Sequence, residues 1–379
     1  MGCHILTLNT FICNGCAYSD QDLGTPFPGE PDNANIQALR RFLREWHSDS
    51  TFIETNTSGS TGAPTTIRLS KRALTESAER TLSMLQVPRG SIALITLSLD
   101  TIAGRMMVVR AVVGGLDIRF SSVSLTSGCS DWPEGEVGLA AMVPGQVQSM
   151  VQNGQWEALK RIHTLLIGGA PLASELESKL AAESVRAWVT YGMTETASHV
   201  ALRQVTDSPE RVYSAVPGVT FSVDAWALIV HAPHLSATTI HTRDAVELLT
   251  PTTFRFLGRL DHAINSGGIK ILPDQLERTL EHVLKALPGS QKRISSVPDQ
   301  TLGEKVVLVL EGATIKGDNK IDALKLLKAE LSDEKTAPKD IVCVEKVPMT
   351  ATGKVARNRL RELLRSGDLD SEDQNNSAS

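Results

Sequence analysis

Between Ile92 and Thr190 short apolar runs alternate with stretches of helical periodicity. Ile92–Leu97, Leu139–Val143, Thr164–Ile167 and Val185–Thr190 read as strands, and Ala103–Val113, Gln146–Leu159 and Ala173–Ala182 as helices. Alternation of this length predicts an α/β fold, a largely parallel sheet with helices on its faces. In such sheets ligands bind beyond the carboxyl ends of the strands. The segment Tyr191-Gly192-Met193-Thr194-Glu195 follows one of those ends directly.

The flanking sequence changes character on both sides. Upstream, Ile36, Leu39, Leu43 and Trp46 fall at helical spacing behind Asp32, a residue suited to an N-cap. Past about Gly218 the strands shorten, as at Ala227–His231 and Phe254–Leu257, which predicts a smaller β-rich subdomain. A new unit begins near Arg259. Its helices are expected at Asp274–Leu287 and Lys320–Leu331, and its strands at Arg293–Val297, Val306–Leu310 and Ile341–Val344, a small α+β layout. From Ser366 to Ser379 almost nothing is apolar, the composition of a disordered tail. The expected organisation is therefore residues 1–258, 259–365 and a tail at 366–379.

Composition narrows the function classes. A formal charge of −5 over 379 residues gives no general attraction to nucleic acid or to an anionic membrane. No apolar run approaches the roughly 20 residues of a membrane span, and no secretory signal opens the chain, so a cytoplasmic protein is expected. Met1-Gly2 is not a myristoylation signal, because Leu6 stands where Ser or Thr is needed. Five cysteines, an odd number, argue against a disulfide framework. Cys13-Asn14-Gly15-Cys16 reads as an Asn-Gly hairpin turn rather than a metal site, since no second ligand pair follows it. Oligomeric state is left open, with a homo-oligomer allowed.

Three separated segments carry chemistry. Thr57-Ser58-Gly59-Ser60-Thr61-Gly62, ahead of Ala63-Pro64, suits a polyphosphate: glycines let backbone N–H groups approach the ligand and hydroxyls donate further bonds. It is not a Walker A loop, because no Gly-Lys-Ser/Thr closes it. Tyr191–Thr196 is the second segment, and Thr350-Ala351-Thr352-Gly353-Lys354 is the third. On these residues the chain resembles the adenylate-forming acyl-CoA synthetase superfamily from about Ile53 to Leu364. That family folds as a large N-terminal domain with mainly parallel sheets and a small mobile α+β C-terminal domain.

The resemblance implies roles residue by residue. The Ser/Thr/Gly loop would hold the β- and γ-phosphates of ATP, Tyr191 and Gly192 would lie at the base, Thr194 at the α-phosphate and Glu195 at Mg²⁺. Gly168-Gly169-Ala170-Pro171 resembles the wall of the adenine pocket, and Asp244 stands at the position of the ribose-binding aspartate. Gly258-Arg259-Leu260-Asp261 resembles the interdomain hinge, with Arg259 on the ribose and Asp261 as pivot. Asn265-Ser266-Gly267-Gly268-Ile269-Lys270 resembles the loop that serves the thioester step with CoA, where Gly267 and Gly268 leave room for a thiol arm. Lys354 matches the catalytic lysine.

Two departures from the family pattern stand out. Pro64 is followed by Thr65-Thr66 where a lysine is common, leaving Arg68 and Lys71 as the nearest cations, and Asp100-Thr101 replaces the usual aromatic-histidine pair. Within the superfamily, the short chain together with Ile102–Met107, Val143–Val147 and Ile264–Gly268 most resembles the o-succinylbenzoate–CoA ligases of menaquinone synthesis. That aromatic acid carries a second carboxylate, for which Arg105 or Arg110 offers a guanidinium fork. Another aryl- or fatty acyl-CoA synthetase and a non-catalytic nucleotide-binding relative remain as alternatives.

Overall fold

The computed structural model describes residues 10–24, 33–56, 66–121, 129, 131–208, 210–350 and 355–367. The chain divides into two compact units. The first comprises 1–222, 229–241 and 248–255, and the second 223–228, 242–247 and 256–379.

The first unit opens with a hairpin, β1 (Thr10–Cys13) and β2 (Cys16–Ser19). Asn14 and Gly15 have φ of 51° and 80°, the left-handed pair of a type I′ turn, so the C-x-x-C is a turn as expected. Cys13 and Cys16 are register partners across it and form no disulfide. Helix α1 (Ala34–His47) is capped by Asn33, whose Oδ1 accepts from the Ile36 amide at 3.0 Å. The cap thus sits one residue beyond Asp32, which lies outside the described residues. Antiparallel strands β3 (Phe52–Asn56) and β4 (Thr66–Ser70) bracket residues 57–65, so the Thr57–Gly62 loop lies outside the described residues.

Helix α2 (Lys71–Met84) and β5 (Ile92–Ile95) lead to α3 (Ile102–Gly114), β6 (Asp117–Phe120) and β7 (Val137–Met142). Then come α4 (Pro144–Gln152), α5 (Trp156–Lys160), β8 (Leu165–Ile167), α6 (Ser174–Ala182), β9 (Ala187–Gly192), β10 (His199–Gln204) and β11 (Val212–Ala215). The single helix expected over Gln146–Leu159 is broken in two because Gly154 turns left-handed at φ 67°. Strand β6 was not anticipated, since Asp-Ile-Arg-Phe has no apolar run to mark it. β12 (Thr220–Asp224), β13 (Ala227–His231), β14 (Thr239–Thr250) and β15 (Thr253–Arg259) follow; the region past Gly218 is β-rich as expected, but its strands are not all short, since β14 runs 12 residues.

Within the first unit the strand order is β2-β1-β6-β5-β7-β8-β9-β10-β11-β15. Strands β1, β6, β5, β7, β8 and β9 are mutually parallel, and the ladders from β9 through β10 and β11 to β15 are antiparallel. Leu94, Ala140, Met142, Leu165, Ile167 and Val189 of the sheet pack with Val147 and Met150 of α4 and Leu176 and Leu180 of α6 in one core. Apolar burial of this kind contributes about 25 cal/mol per Å². It fixes where the carboxyl ends of β7, β8 and β9 emerge.

The second unit contains β16 (Ile264–Ser266), β17 (Ile269–Ile271), α7 (Pro273–Thr279), α8 (Glu281–Ala286), β18 (Lys292–Asp299), β19 (Gly303–Glu311), α9 (Gly317–Ala329), β20 (Asp340–Val344) and α10 (Arg357–Ser366). The helix expected at Asp274–Leu287 is divided at Leu280, which ends α7 and starts α8. The sheet runs β17-β16-β19-β18, with β20 parallel to β19. Strand β19 serves two cores by its period of two: Val306, Leu308 and Leu310 join one, Val307 and Val309 the other. Ser366, expected in the tail, is the last residue of α10, and Gly367 is its left-handed C-cap. Residues 368–379 lie outside the described residues. Among the described residues no helix is long and apolar enough to cross a membrane.

Candidate functional site

In the first unit two loops emerge side by side. Register pairs Ile167 of β8 with Val189 of β9, which sets Gly168 next to Thr190. A Cβ at Gly168 would collide with the Thr190 hydroxyl, so a larger residue there would displace Thr190, and Gly169 turns left-handed at φ 83°. Thr190 Oγ1 donates to the Ile167 carbonyl at 3.3 Å, tying the two strand ends. The Gly168-Gly169-Ala170 turn and the Tyr191–Glu195 segment are therefore neighbours at the carboxyl edge of the parallel sheet, where such folds bind ligands.

The second loop is held from beneath. Tyr191 meets Phe254 edge-on with centroids 5.0 Å apart and Tyr213 at 5.9 Å, while Tyr213 stacks on Phe254 at 5.4 Å. A 3-10 turn spans Thr194–Thr196, and Ala197 is left-handed at φ 62°. Buried Thr196 clasps this turn: its hydroxyl accepts from the Met193 amide at 2.9 Å and reaches the Met193 and Ser198 carbonyls at 2.9 and 2.5 Å. Gly192 allows the return strand to press close, because a Cβ there would strike the Ser198 carbonyl and the His199 backbone. Glu195 is exposed and Thr194 half-buried; among the described residues neither side chain has a hydrogen bond or ion pair.

Arg105 and Arg110 have different surroundings. Arg105 donates to the Leu99 carbonyl at 2.9 Å and the Glu54 carbonyl at 2.7 Å, approaches Glu45 at 3.5 Å and lies over the Phe42 ring. Arg110 is 2% exposed, its Nη2 donates to Ser198 Oγ at 2.6 Å, and its Nε has no partner among the described residues. Burial pushes its guanidinium down to about 10. Arg68 and Lys71 are engaged locally, Arg68 with Glu54 at 3.9 Å and over the Phe52 ring, Lys71 with the Ser48 carbonyl at 2.7 Å. Thr101, of the Asp100-Thr101 departure, is the N-cap of α3.

In the second unit Arg259 joins two aspartates. Its Nη1 donates to Asp244 at 3.2 Å and its Nη2 to Asp261 at 2.6 Å, with Arg243 Nε also on Asp261 at 2.8 Å. Burial pushes the Asp261 carboxyl up, but the hydrogen bonds and charges of Arg259 and Arg243 outweigh it and hold it below the ordinary 3.8. Asp244 is buried, and its amide donates to Thr242 Oγ1 at 3.1 Å. Gly267 and Gly268, with φ of 57° and 80°, form a type I′ turn between β16 and β17.

Lys354 and residues 351–353 lie outside the described residues, and the residues on either side of them are well held. Met349 bridges Val355, the Ala356 amide donates to the Pro348 carbonyl at 2.8 Å, and Arg357 donates to Asp274 at 2.6 Å and Glu277 at 3.1 Å.

Comparison with known proteins matches residues 19–229 to the model of the AMP-binding enzyme family. The chain belongs to that family. A probable 2-succinylbenzoate–CoA ligase of Mycobacterium tuberculosis is 27% identical over 345 residues, covering 86% of this chain and 87% of that protein. A feruloyl-CoA synthase of an Amycolatopsis species is 27% identical over 342 residues, covering 80% and 68%. Among solved structures, an AMP-forming acyl-CoA synthetase/AMP-acid ligase II-like protein from Dyadobacter fermentans is 30% identical with a TM-score of 0.58, covering 87% of this chain and 94% of that one.

Several contacts around the Tyr191–Glu195 segment were not marked in the sequence: the Thr196 clasp, the Tyr213 and Phe254 rings, and a buried His199. The His199 imidazole is depressed well below the ordinary 6.5 by burial and by the Arg110 charge. His234 is likewise pushed down to about 4, by burial and Arg80. Both are neutral in the fold, whereas the unfolded chain binds their protons near 6.5. Below 6.5 the unfolded state therefore holds more protons, and stability falls as pH drops toward about 4. The expected slope is up to about 1.4 kcal/mol per pH unit per histidine. Urea midpoints at pH 7 and pH 5 would check this, and His234→Gln should flatten the decline.

Proposed function

We propose that the chain is an AMP-forming acid–CoA ligase that joins o-succinylbenzoate to CoA through an acyl-adenylate, as a cytoplasmic enzyme of menaquinone synthesis. The observation that carries this reading is the pairing of the Gly168–Ala170 turn with the Tyr191–Glu195 turn at neighbouring strand ends. The succinylbenzoate-ligase relative supports the choice of acid. A carboxylate oxygen of the acid attacks the α-phosphorus of ATP, and the bond to the departing pyrophosphate breaks. The CoA thiol then attacks the acyl carbon and AMP leaves.

In this scheme the Thr57–Gly62 loop holds the outer phosphates, Tyr191, Gly192, Gly169 and Ala170 enclose the adenine, and Asp244 and Arg259 take the ribose. Thr194 donates to the α-phosphate. Glu195 would hold Mg²⁺, which neutralises phosphate charge when bound. Among the described residues no cluster of three or more His, Cys, Asp or Glu could make a protein cage for a metal. One exposed, uncommitted carboxylate fits, because Mg²⁺ bound through a nucleotide needs only one or two. Residues 259–365 act as the lid domain, with Asp261 as pivot, Lys354 serving adenylation and Gly267-Gly268 the thioester step.

For the acid's second carboxylate we retain Arg105 and Arg110. Arg105 donates to Leu99 and Glu54 and approaches Glu45, and buried Arg110 donates to Ser198, so their surroundings favour neither over the other.

The feruloyl-CoA synthase relative, at the same 27% identity, favours a second reading in which the acid is another aryl acid. Purified protein with ATP, Mg²⁺ and CoA should release AMP and pyrophosphate when given o-succinylbenzoate. Turnover of ferulate or benzoate with none of o-succinylbenzoate would move the substrate to the second reading. Pyrophosphate exchange with no acid in the panel would leave a nucleotide-binding relative without catalysis.

A further inference from the structure

Directly behind the Thr194–Thr196 turn lies a buried polar cluster in which each hydrogen bond has a defined direction. Arg110 on α3 can only donate. Its Nη2 lies 2.6 Å from Ser198 Oγ and 3.4 Å from His199 Nδ1, so Nδ1 is the accepting nitrogen of that ring. The other nitrogen, Nε2, then carries the proton and faces Thr81 Oγ1 on α2 at 2.9 Å. Thr81 Oγ1 in turn donates to the Ser77 carbonyl at 2.9 Å, which leaves its lone pair free to accept from Nε2. The tautomer is fixed from both sides.

Ser198 joins this cluster to the turn. Its side chain accepts from Arg110, its carbonyl accepts from the Thr196 hydroxyl at 2.5 Å, and its backbone presses on Gly192. A shift of Ser198 would therefore move the residues on both sides of Thr194 and Glu195. Thr81, Arg110 and His199 are all buried, and no ligand is needed to explain their mutual bonding.

We propose that Thr81, His199 and Arg110 form a positioning relay for the turn carrying Thr194 and Glu195, with His199 held as the neutral Nε2–H tautomer and Ser198 as its point of attachment. The inference rests on the reading of Thr194 and Glu195 as adenylation groups. Thr81 and His199 are assigned to neither nucleotide nor acid, so their loss acts on turnover rather than on affinity. Misplacement of a catalytic turn by a fraction of an ångström lowers rate steeply while leaving the rest of the binding surface intact.

The test has two arms on the full chain. With ¹⁵N-labelled imidazoles at pH 7, His199, assigned by its loss in His199→Gln, should show the Nε2–H form. A doubly protonated or Nδ1–H ring would overturn the relay. In the second arm, Thr81→Val keeps the side-chain shape and removes the acceptor. It should lower kcat for AMP formation by roughly tenfold or more with the KM values for ATP and acid within about twofold, and Thr81→Ser should restore kcat. A valine variant with unchanged kcat, a loss confined to KM, or a serine variant no better than valine would each overturn the proposal. Should the wild-type protein form no AMP with any acid, the functional reading fails by itself, and the imidazole spectrum still decides the relay.

Discussion

Lys354→Ala is expected to lower acyl-adenylate formation by roughly 10²-fold or more, the scale of losing one charge contact in a transition state. Thioester formation from supplied acyl-adenylate and CoA should stay within about tenfold of wild type. The asymmetry follows from the proposed division of labour, in which Lys354 stabilises phosphoryl charge in the first step and Gly267-Gly268 serve the second. The structure adds a reason to expect a clean result. The Met349–Val355 bridge, the bond from Ala356 to Pro348 and the Arg357 anchor hold the base of the lysine loop without using the lysine. Loss of Lys354 should therefore leave the second unit folded. Pyrophosphate exchange measures the first half-reaction and acyl-CoA appearance from the adenylate the second. Equal losses in both would contradict the division of labour, and normal exchange would remove Lys354 from the mechanism.

What the sequence made legible was whatever is local or periodic. The parallel strands β5, β7, β8 and β9 were visible as apolar runs separated by helical stretches, and the turns at Asn14-Gly15 and Gly267-Gly268 as residue pairs able to take positive φ. Motif glycines were visible as glycines, but their cause appears only in space: Gly168 yields to Thr190, and Gly192 to Ser198. Helix interruptions were hidden, because the apolar spacing around Gly154 and Leu280 continues through both breaks.

The polar framework was hidden for a different reason. Thr81 and His199 are 118 residues apart, and Arg110 and Ser198 are 88 apart, so no local pattern links them. Arg105 and Arg110, alike in the sequence and five positions apart on α3, separate only by what surrounds them. The aromatic support of Tyr191 is similar: Tyr213 and Phe254 come from other strands of the same sheet. Reading a motif thus proposes the groups that would face a ligand, while the groups that hold them required the fold.

The largest stability effect is expected at Glu177. This carboxylate on α6 is 5% exposed and forms a very close ion pair with Arg203 of β10, itself 8% exposed, while Arg211 approaches it at 3.3 Å. Glu177→Ala would leave Arg203 buried with no counter-charge, which costs about 3–5 kcal/mol. That figure is the penalty of orphaning a charge rather than the net worth of the pair. A double variant, Glu177→Leu with Arg203→Met, should therefore recover most of the loss, since apolar groups of similar volume often replace a buried ion pair without cost. Urea midpoints for the single and double variants separate the two quantities. The change should also reach the nucleotide loop. The Arg203 guanidinium lies 5.6 Å over the Tyr213 ring, and Tyr213 meets both Phe254 and Tyr191. A Glu177→Ala protein that remains folded at low temperature should thus show a raised KM for ATP, with the acid affected less. Wild-type stability in the single variant would mean that Arg203 finds water or another acceptor, and that the pair does not brace the sheet beneath Tyr191.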